Sequence, residues 1–200
     1  MRHLERIIML VLSEVDACLV SVLKVRLEST FNMMVEVRYA IQNLSYAWDP
    51  KRKQFVSPRI LTRLRGIKRR QGDLVLVVTN VDLYSPDYDY VYGEAEMASG
   101  VATLSTYRLK GQLNNGVDSS VLEERTAREA IHEIGHLLLL GHCPNPRCVM
   151  HACPCVADVD KAGSDFCDQC SQVLKENLSN HNPSPIGQRQ PQVSMLMHTK

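Results

Sequence analysis

Six of the seven cysteines in this chain, Cys143, Cys148, Cys153, Cys155, Cys167 and Cys170, fall within 28 residues, while Cys18 stands alone. A stretch so rich in thiols folds either around disulfides or around metal, and the compartment decides between them. The first apolar run, residues 7–12, is followed by Glu14 and Asp16 and is too short for a secretory core or a membrane span. We therefore expect a cytoplasmic protein without a membrane segment, in which metal binding is favoured over the disulfide alternative. Cys143-x4-Cys148 and Cys167-x2-Cys170 form two pairs separated by a loop, as in closed four-thiolate zinc sites. Cys153 and Cys155 could substitute, but the single proline between them strains a chelate made by both, and we treat them as spare.

Just upstream stands His132-Glu133-Ile134-Gly135-His136, in a segment whose apolar spacing reads as helix. At ~100° per residue, histidines four apart lie one turn from each other on the same face, so both imidazoles can reach one tetrahedral metal. Glu133 is placed beside them where it can take a proton from water activated by that metal, which is the chemistry of a hydrolase. The alternative is a chance match on a surface helix. His142 argues against chance, because a catalytic zinc needs three protein ligands and an open fourth position. On an unbroken helix His142 would lie ~9 Å further along the axis than His136, so the chain must turn sharply between them. Gly141 offers a residue able to adopt the left-handed conformation there. His142 could instead belong to the neighbouring cysteine site.

The rest of the chain reads as strands separated by helices, hence α/β with a mostly parallel or mixed sheet under helices. Residues 7–12, 34–39 and 73–79 are strand-like, with 90–92 and 101–106 as shorter candidates, and residues 17–27 are helical. Ser57 and Pro58 fit an N-cap and first helical position for a helix over 58–70. Ser120, with Glu123 three residues on, suggests a capping box opening a helix over about 120–140. From Gly141 the composition shifts to Cys, Pro, Asn and Asp, as in an irregular lobe held by metal. Residues 179–200 are polar with three prolines and read as a flexible tail. The predicted division is 1–141, 142–178 and 179–200. Met150, isolated in a polar stretch, reads as gap-filling core.

Charge sums to only +1, which gives no global reason to seek nucleic acid or an anionic membrane. Locally, residues 51–70 hold nine Lys or Arg and no acid, and residues 71–107 hold six Asp or Glu and no base. The basic block reads either as a nucleic-acid patch or as a solvated helix face neutralised by the acidic stretch. The second reading is favoured, since Phe55 is the block's one aromatic and a stacking platform needs more.

The pattern His132-Glu133-x2-His136-x5-His142-Cys143, followed by Cys148, Met150 and Cys167-x2-Cys170, resembles the archaemetzincins, a branch of the metzincin zinc metallopeptidases. Residues 79–84, 90–95 and 100–106 are also similar to that family's strand segments. The resemblance implies an upper α/β subdomain with a twisted sheet, a cleft, and a smaller zinc-stabilised lower subdomain. It assigns a catalytic zinc to His132, His136 and His142 and general base and acid to Glu133. A second, structural zinc goes to Cys143, Cys148, Cys167 and Cys170, and the turn beneath the metal to Met150. The family's antiparallel edge strand, which pairs with an extended peptide, falls around residues 90–95, at Tyr90, Val91, Tyr92 and Gly93. Strand addition suits many substrates because backbone hydrogen bonds tolerate many side chains. Leu139 stands where the family has a turn glycine. Either Leu139 is left-handed, at a cost of roughly 1 to 2 kcal/mol, or the turn has moved.

We therefore expect a monomeric zinc-dependent peptidase with two zinc ions and peptide or protein substrates, its activity weakened at Leu139. The rival expectation is a zinc-stabilised binding protein with an impaired site, contacting nucleic acid through residues 51–70.

Overall fold

Two wholly apolar runs set the middle of the molecule. In the computed structural model, which describes residues 6–40, 43–67, 69–70, 72–111, 118–179 and the backbone of 193–195, β1 (Arg6–Val11) and β5 (Leu74–Thr79) lie side by side and parallel. Neither has a polar face because helices cover both sides of the sheet. β2 (Met34–Tyr39) flanks β1 in parallel at one edge, and there alternation returns: Val35 is buried while Met34 and Tyr39 are exposed. β8 (Val101–Ser105) extends the parallel set beyond β5. β7 (Gly93–Glu96) then pairs antiparallel with β8, and β9 (Val193–Met195) antiparallel with β7, giving the order β2-β1-β5-β8-β7-β9. A small second sheet joins β3 (Trp48–Asp49), β4 (Gln54–Val56) and β6 (Leu83–Tyr84).

One face of the main sheet carries α1 (Ala17–Phe31) and α3 (Ser119–Leu137); the other carries α2 (Ser57–Leu64). Asp16 caps α1 by accepting the N–H groups of Cys18 and Leu19. Leu19, Leu23 and Leu27 then pack with Met9, Leu76 and Leu104. On the opposite face Ile60, Leu61 and Leu64 meet Ile8, Val75 and Val77.

Several boundaries differ from the sequence expectation. Val56, not Ser57, is the N-cap of α2, and the Ser57 hydroxyl pairs with Thr103 Oγ1 at 2.9 Å. The helix stops at Leu64 because the chain beyond it turns into β5, the Arg70 N–H donating to Asp73 Oδ2 at 2.9 Å. α3 is capped by Asp118, whose Oδ1 accepts both the Ser120 N–H and its hydroxyl, so Ser120 is a partner of the cap and not the cap itself. Residues 90–92 are not strand; β7 starts at Gly93. Residues 193–195, expected in a flexible tail, form β9 on the otherwise open edge of β7; residues 180–192 and 196–200 of that tail lie outside the described residues.

Past α3 the chain has little regular structure apart from α4 (Val156–Val159) and α5 (Asp168–Ser179). Its apolar side chains Val149, Met150, Val159 and Leu174 nevertheless belong to the same cluster as Ile131, Ile134 and Leu137 of α3. Two arginines tie it down. Arg125 makes a bidentate pair with Asp160 at 2.6 and 2.7 Å. Arg128, fully buried, donates to Glu129 Oε1 at 2.6 Å and to the carbonyls of His151 and Gly163 at 3.2 Å each.

Part of the basic block is engaged by the segment that follows it. Arg65 pairs with Glu96, Arg52 with Asp89, and Arg69 donates to the carbonyls of Ser99 and Gly100. No helix among the described residues is long and apolar enough to cross a membrane.

Candidate active site

Spacing on α3 brings His132 and His136 together, their Nε2 atoms 2.9 Å apart. His142 joins them, its ring centroid 5.4 Å from that of His132 and 5.0 Å from that of His136. One nitrogen from each ring lies within 4.8 Å of the others. The sharp turn this needs is a Schellman ending: the Leu139 N–H reaches the His136 carbonyl at 2.9 Å, and the Leu140 N–H the Gly135 carbonyl at 3.0 Å. Leu139 is the left-handed residue, at φ 67°, and its side chain is 58% exposed. Of the two possibilities left by the sequence, Leu139 takes the strain and the turn has not moved to Gly141.

The tautomers of the helical pair follow from their partners. His132 Nδ1 lies 2.7 Å from the Val149 carbonyl, and His136 Nδ1 lies 2.7 Å from the Leu140 carbonyl. A carbonyl only accepts, so both Nδ1 atoms carry the proton and donate, leaving both Nε2 atoms with bare lone pairs that face each other. Two lone pairs at 2.9 Å repel unless a cation lies between them, and imidazole Nε2 is a preferred zinc donor. The three rings are also held neutral, the form that binds metal: burial lowers all three, His132 far below its usual range and His136 to about 4. The donor set therefore fits zinc.

The Glu133 carboxyl lies against β7 at Gly93. The residue is 1% exposed, and its Oε2 has no hydrogen-bond partner among the described residues. A methyl carbon on Gly93 would come within 2.5 Å of Glu133 Oε1, so the carboxyl fits only because β7 begins with glycine. Burial first, and then the nearby carboxylates Glu129 and Glu94, push Glu133 well above the ordinary carboxylate range. A carboxyl with its proton affinity raised in this way is suited to taking and returning a proton.

Of the four residues expected on the peptide-pairing edge, only Gly93 lies in a strand. Val91 and Tyr92 are buried, the Val91 N–H donating to the Leu83 carbonyl and the Tyr92 carbonyl accepting from the Ser105 N–H. Tyr90 stacks edge-on against Tyr92 and donates to the Pro154 carbonyl at 3.3 Å. The antiparallel segment is thus shifted to Gly93–Glu96.

The structure brings Cys143, Cys148, Cys167 and Cys170 together, their sulfurs within 4.8 Å of one another. The Cys167 N–H points at Cys148 Sγ, and Cys143 Sγ lies 3.8 Å from Cys167 Sγ. The Cys170 N–H lowers the Cys167 thiol to about 7, whereas burial raises Cys170 and Cys148. A central dication lets all four ionise together. Cys153 and Cys155 are elsewhere: Cys153 receives Arg128 Nη2 at 3.0 Å and Cys155 donates to Asp158. His142 stays with the histidines. Met150, fully buried, lies beneath α3, where a methyl carbon on Gly135 would come within 2.5 Å of its Sδ.

The model of peptidase family M54 matches residues 4–176. The chain belongs to that family. Archaemetzincin of Pyrococcus horikoshii is 37% identical over 142 residues, 70% of this chain and 76% of that protein. Archaemetzincin of Pyrococcus furiosus is 35% identical, covering 87% and 94%. Among solved structures, the archaemetzincin of Methanopyrus kandleri superimposes with a TM-score of 0.77 at 28% identity, covering 90% of this chain and 99% of that one. A zinc-dependent peptidase from Methanocorpusculum labreanum gives 0.76 at 29% identity, covering 84% and 99%. This M54 member is accordingly a zinc metallopeptidase with the archaemetzincin fold, acting on peptides or proteins.

Sequence reasoning did not find the carbonyls of Val149 and Leu140, which fix the tautomers, because a backbone atom leaves no residue signature. It also passed over Glu94 and Glu129, buried carboxylates near Glu133; Glu129 was signalled by its place inside the apolar helix pattern, whereas Glu94 lies in a segment with no apolar run to mark it.

Proposed function

We propose that His132, His136 and His142 hold the catalytic zinc, that Glu133 is the general base and acid, and that Cys143, Cys148, Cys167 and Cys170 hold a second, structural zinc. The observation carrying this reading is the approach of the two Nε2 atoms to 2.9 Å while the Nδ1 of each ring faces a carbonyl, a donor pair arranged for a shared cation. Zinc bound there supplies Lewis-acid polarisation of a peptide carbonyl and acidifies water. Glu133 takes the proton released in the attack and returns it to the departing amine. Gly93 lets that carboxyl sit against β7, and the β7 edge aligns an extended peptide beside it through main-chain hydrogen bonds. Met150 supports the histidine platform from below through Gly135. In this reading residues 142–178 form a lower subdomain fastened to the upper one by its zinc, in a reducing compartment where thiolates and not disulfides hold the metal. The nucleic-acid alternative is not favoured, since Arg52, Arg65 and Arg69 are engaged within the chain.

Metal content and cleavage of a peptide mixture, measured on one preparation, test the reading. The intact chain is expected to carry two zinc ions and His136→Ala one. Glu133→Ala should keep both and lose hydrolysis by at least a hundredfold, as expected for a group that transfers a proton. One zinc in every variant, or full activity in Glu133→Ala, would overturn it.

A further inference from the structure

We propose that residues 193–195 are an internal inhibitor, occupying the β7 edge in place of a substrate peptide. The inference rests on the reading of that edge as the peptide seat. β8 fills one side of β7, so only one ladder of hydrogen bonds is left for a peptide, and β9 fills it: Glu94 pairs with Met195, Ala95 with Ser194 and Glu96 with Val193. Substrate and β9 therefore exclude each other.

Direction strengthens the case. As numbering rises along β9 it falls along β7, so a strand continued in this register next meets Gly93. Gly93 is where the backbone makes room for the Glu133 carboxyl. A segment laid on the edge in this way is aimed at the catalytic carboxylate, as a substrate would be.

The tether allows it. Thirteen residues separate the end of α5 from β9, enough to span up to ~43 to 47 Å if extended. A segment joined to its site within the same chain by so few residues acts at an effective concentration on the order of millimolar, so even a weak strand competes with dilute substrate. Three residues of pairing remain few enough for a longer peptide to displace.

The test uses the full zinc-loaded chain and two variants, Ser194→Pro and Met195→Pro. Of two adjacent strand residues one directs its N–H at the partner strand, so one of these prolines removes a ladder bond. Amide exchange at residues 94–96, KM and kcat on a peptide mixture, and binding of a fluorescent peptide with the sequence of residues 190–200 are measured. At least one variant should exchange faster at 94–96, show a KM at least threefold lower with kcat unchanged, and bind the labelled peptide at least threefold tighter. Equal exchange and equal peptide binding in all three proteins would overturn the proposal. So would loss of the C-terminal segment from the intact chain during incubation, which would make it a substrate. If no form cleaves any peptide, the peptidase mechanism fails, yet exchange and binding still decide whether β9 holds the edge.

Discussion

Leu139 combines a left-handed backbone with a solvent-facing side chain, so glycine there relieves the conformational penalty while giving up little buried surface. Because glycine costs chain entropy of its own, the net gain for Leu139→Gly should be about 1 kcal/mol. Denaturant midpoints with and without zinc check this, and zinc binding should tighten as well, since the turn sets the place of His142. An unchanged midpoint would show that the leucine backbone is unstrained. Gly135 is the opposite case. A methyl group there meets Met150 Sδ, so Gly135→Ala should destabilise by about 1 to 3 kcal/mol. Most of that loss should vanish in combination with Met150→Ala, a coupling that a double-mutant cycle measures. The metal residues were legible in the sequence because their geometry is local: a helix alone fixes the relation of His132 to His136. Leu139 was legible as a problem but not as a solution, since the backbone conformation of one residue depends on what the turn must bring together.

At the level of elements, α1, β1, β2 and β5 were readable from apolar runs and alternation, which depend on burial alone. β7 was not. It contains Gly93, Glu94 and Glu96, and it is a strand because β8 lies beside it and α3 leaves room for it, conditions no short window records. The start of α3 went to Asp118 for a similar reason, as Asp and Ser are both good caps and the geometry of the preceding chain chooses. What α3 does beyond carrying the histidines depends on Arg128. Arg128→Leu should cost roughly 3 to 5 kcal/mol, because it leaves the Glu129 carboxyl buried without its guanidinium and takes a donor from the carbonyls of His151 and Gly163. Thermal unfolding of the zinc-loaded chain reads that loss; a shift of under one degree would mean that the buried pair contributes nothing.

At the scale of the whole molecule, the buried carboxyls Glu94, Glu129 and Glu133 act to lower stability as pH rises. Burial pushes Glu94 from 4.5 to about 7 in the folded chain. A group whose folded pKa is raised adds stability below its unfolded pKa and loses it as pH climbs through the folded value, here between about 4.5 and 7. The difference is worth on the order of 3 kcal/mol. Glu94→Gln should therefore match the parent near pH 4.5 and exceed it by up to that amount at pH 8, as measured by urea unfolding at both pH values. Identical pH profiles would show that Glu94 is ionised at little cost. One more consequence follows from Leu140, whose N–H closes the end of α3 on Gly135 while its carbonyl fixes the His136 ring. A single inserted or deleted residue between His136 and Leu140 breaks both bonds in one event. Across relatives that retain the metal site, the length of this segment should be held constant, and position 139, left-handed and facing water, should favour glycine.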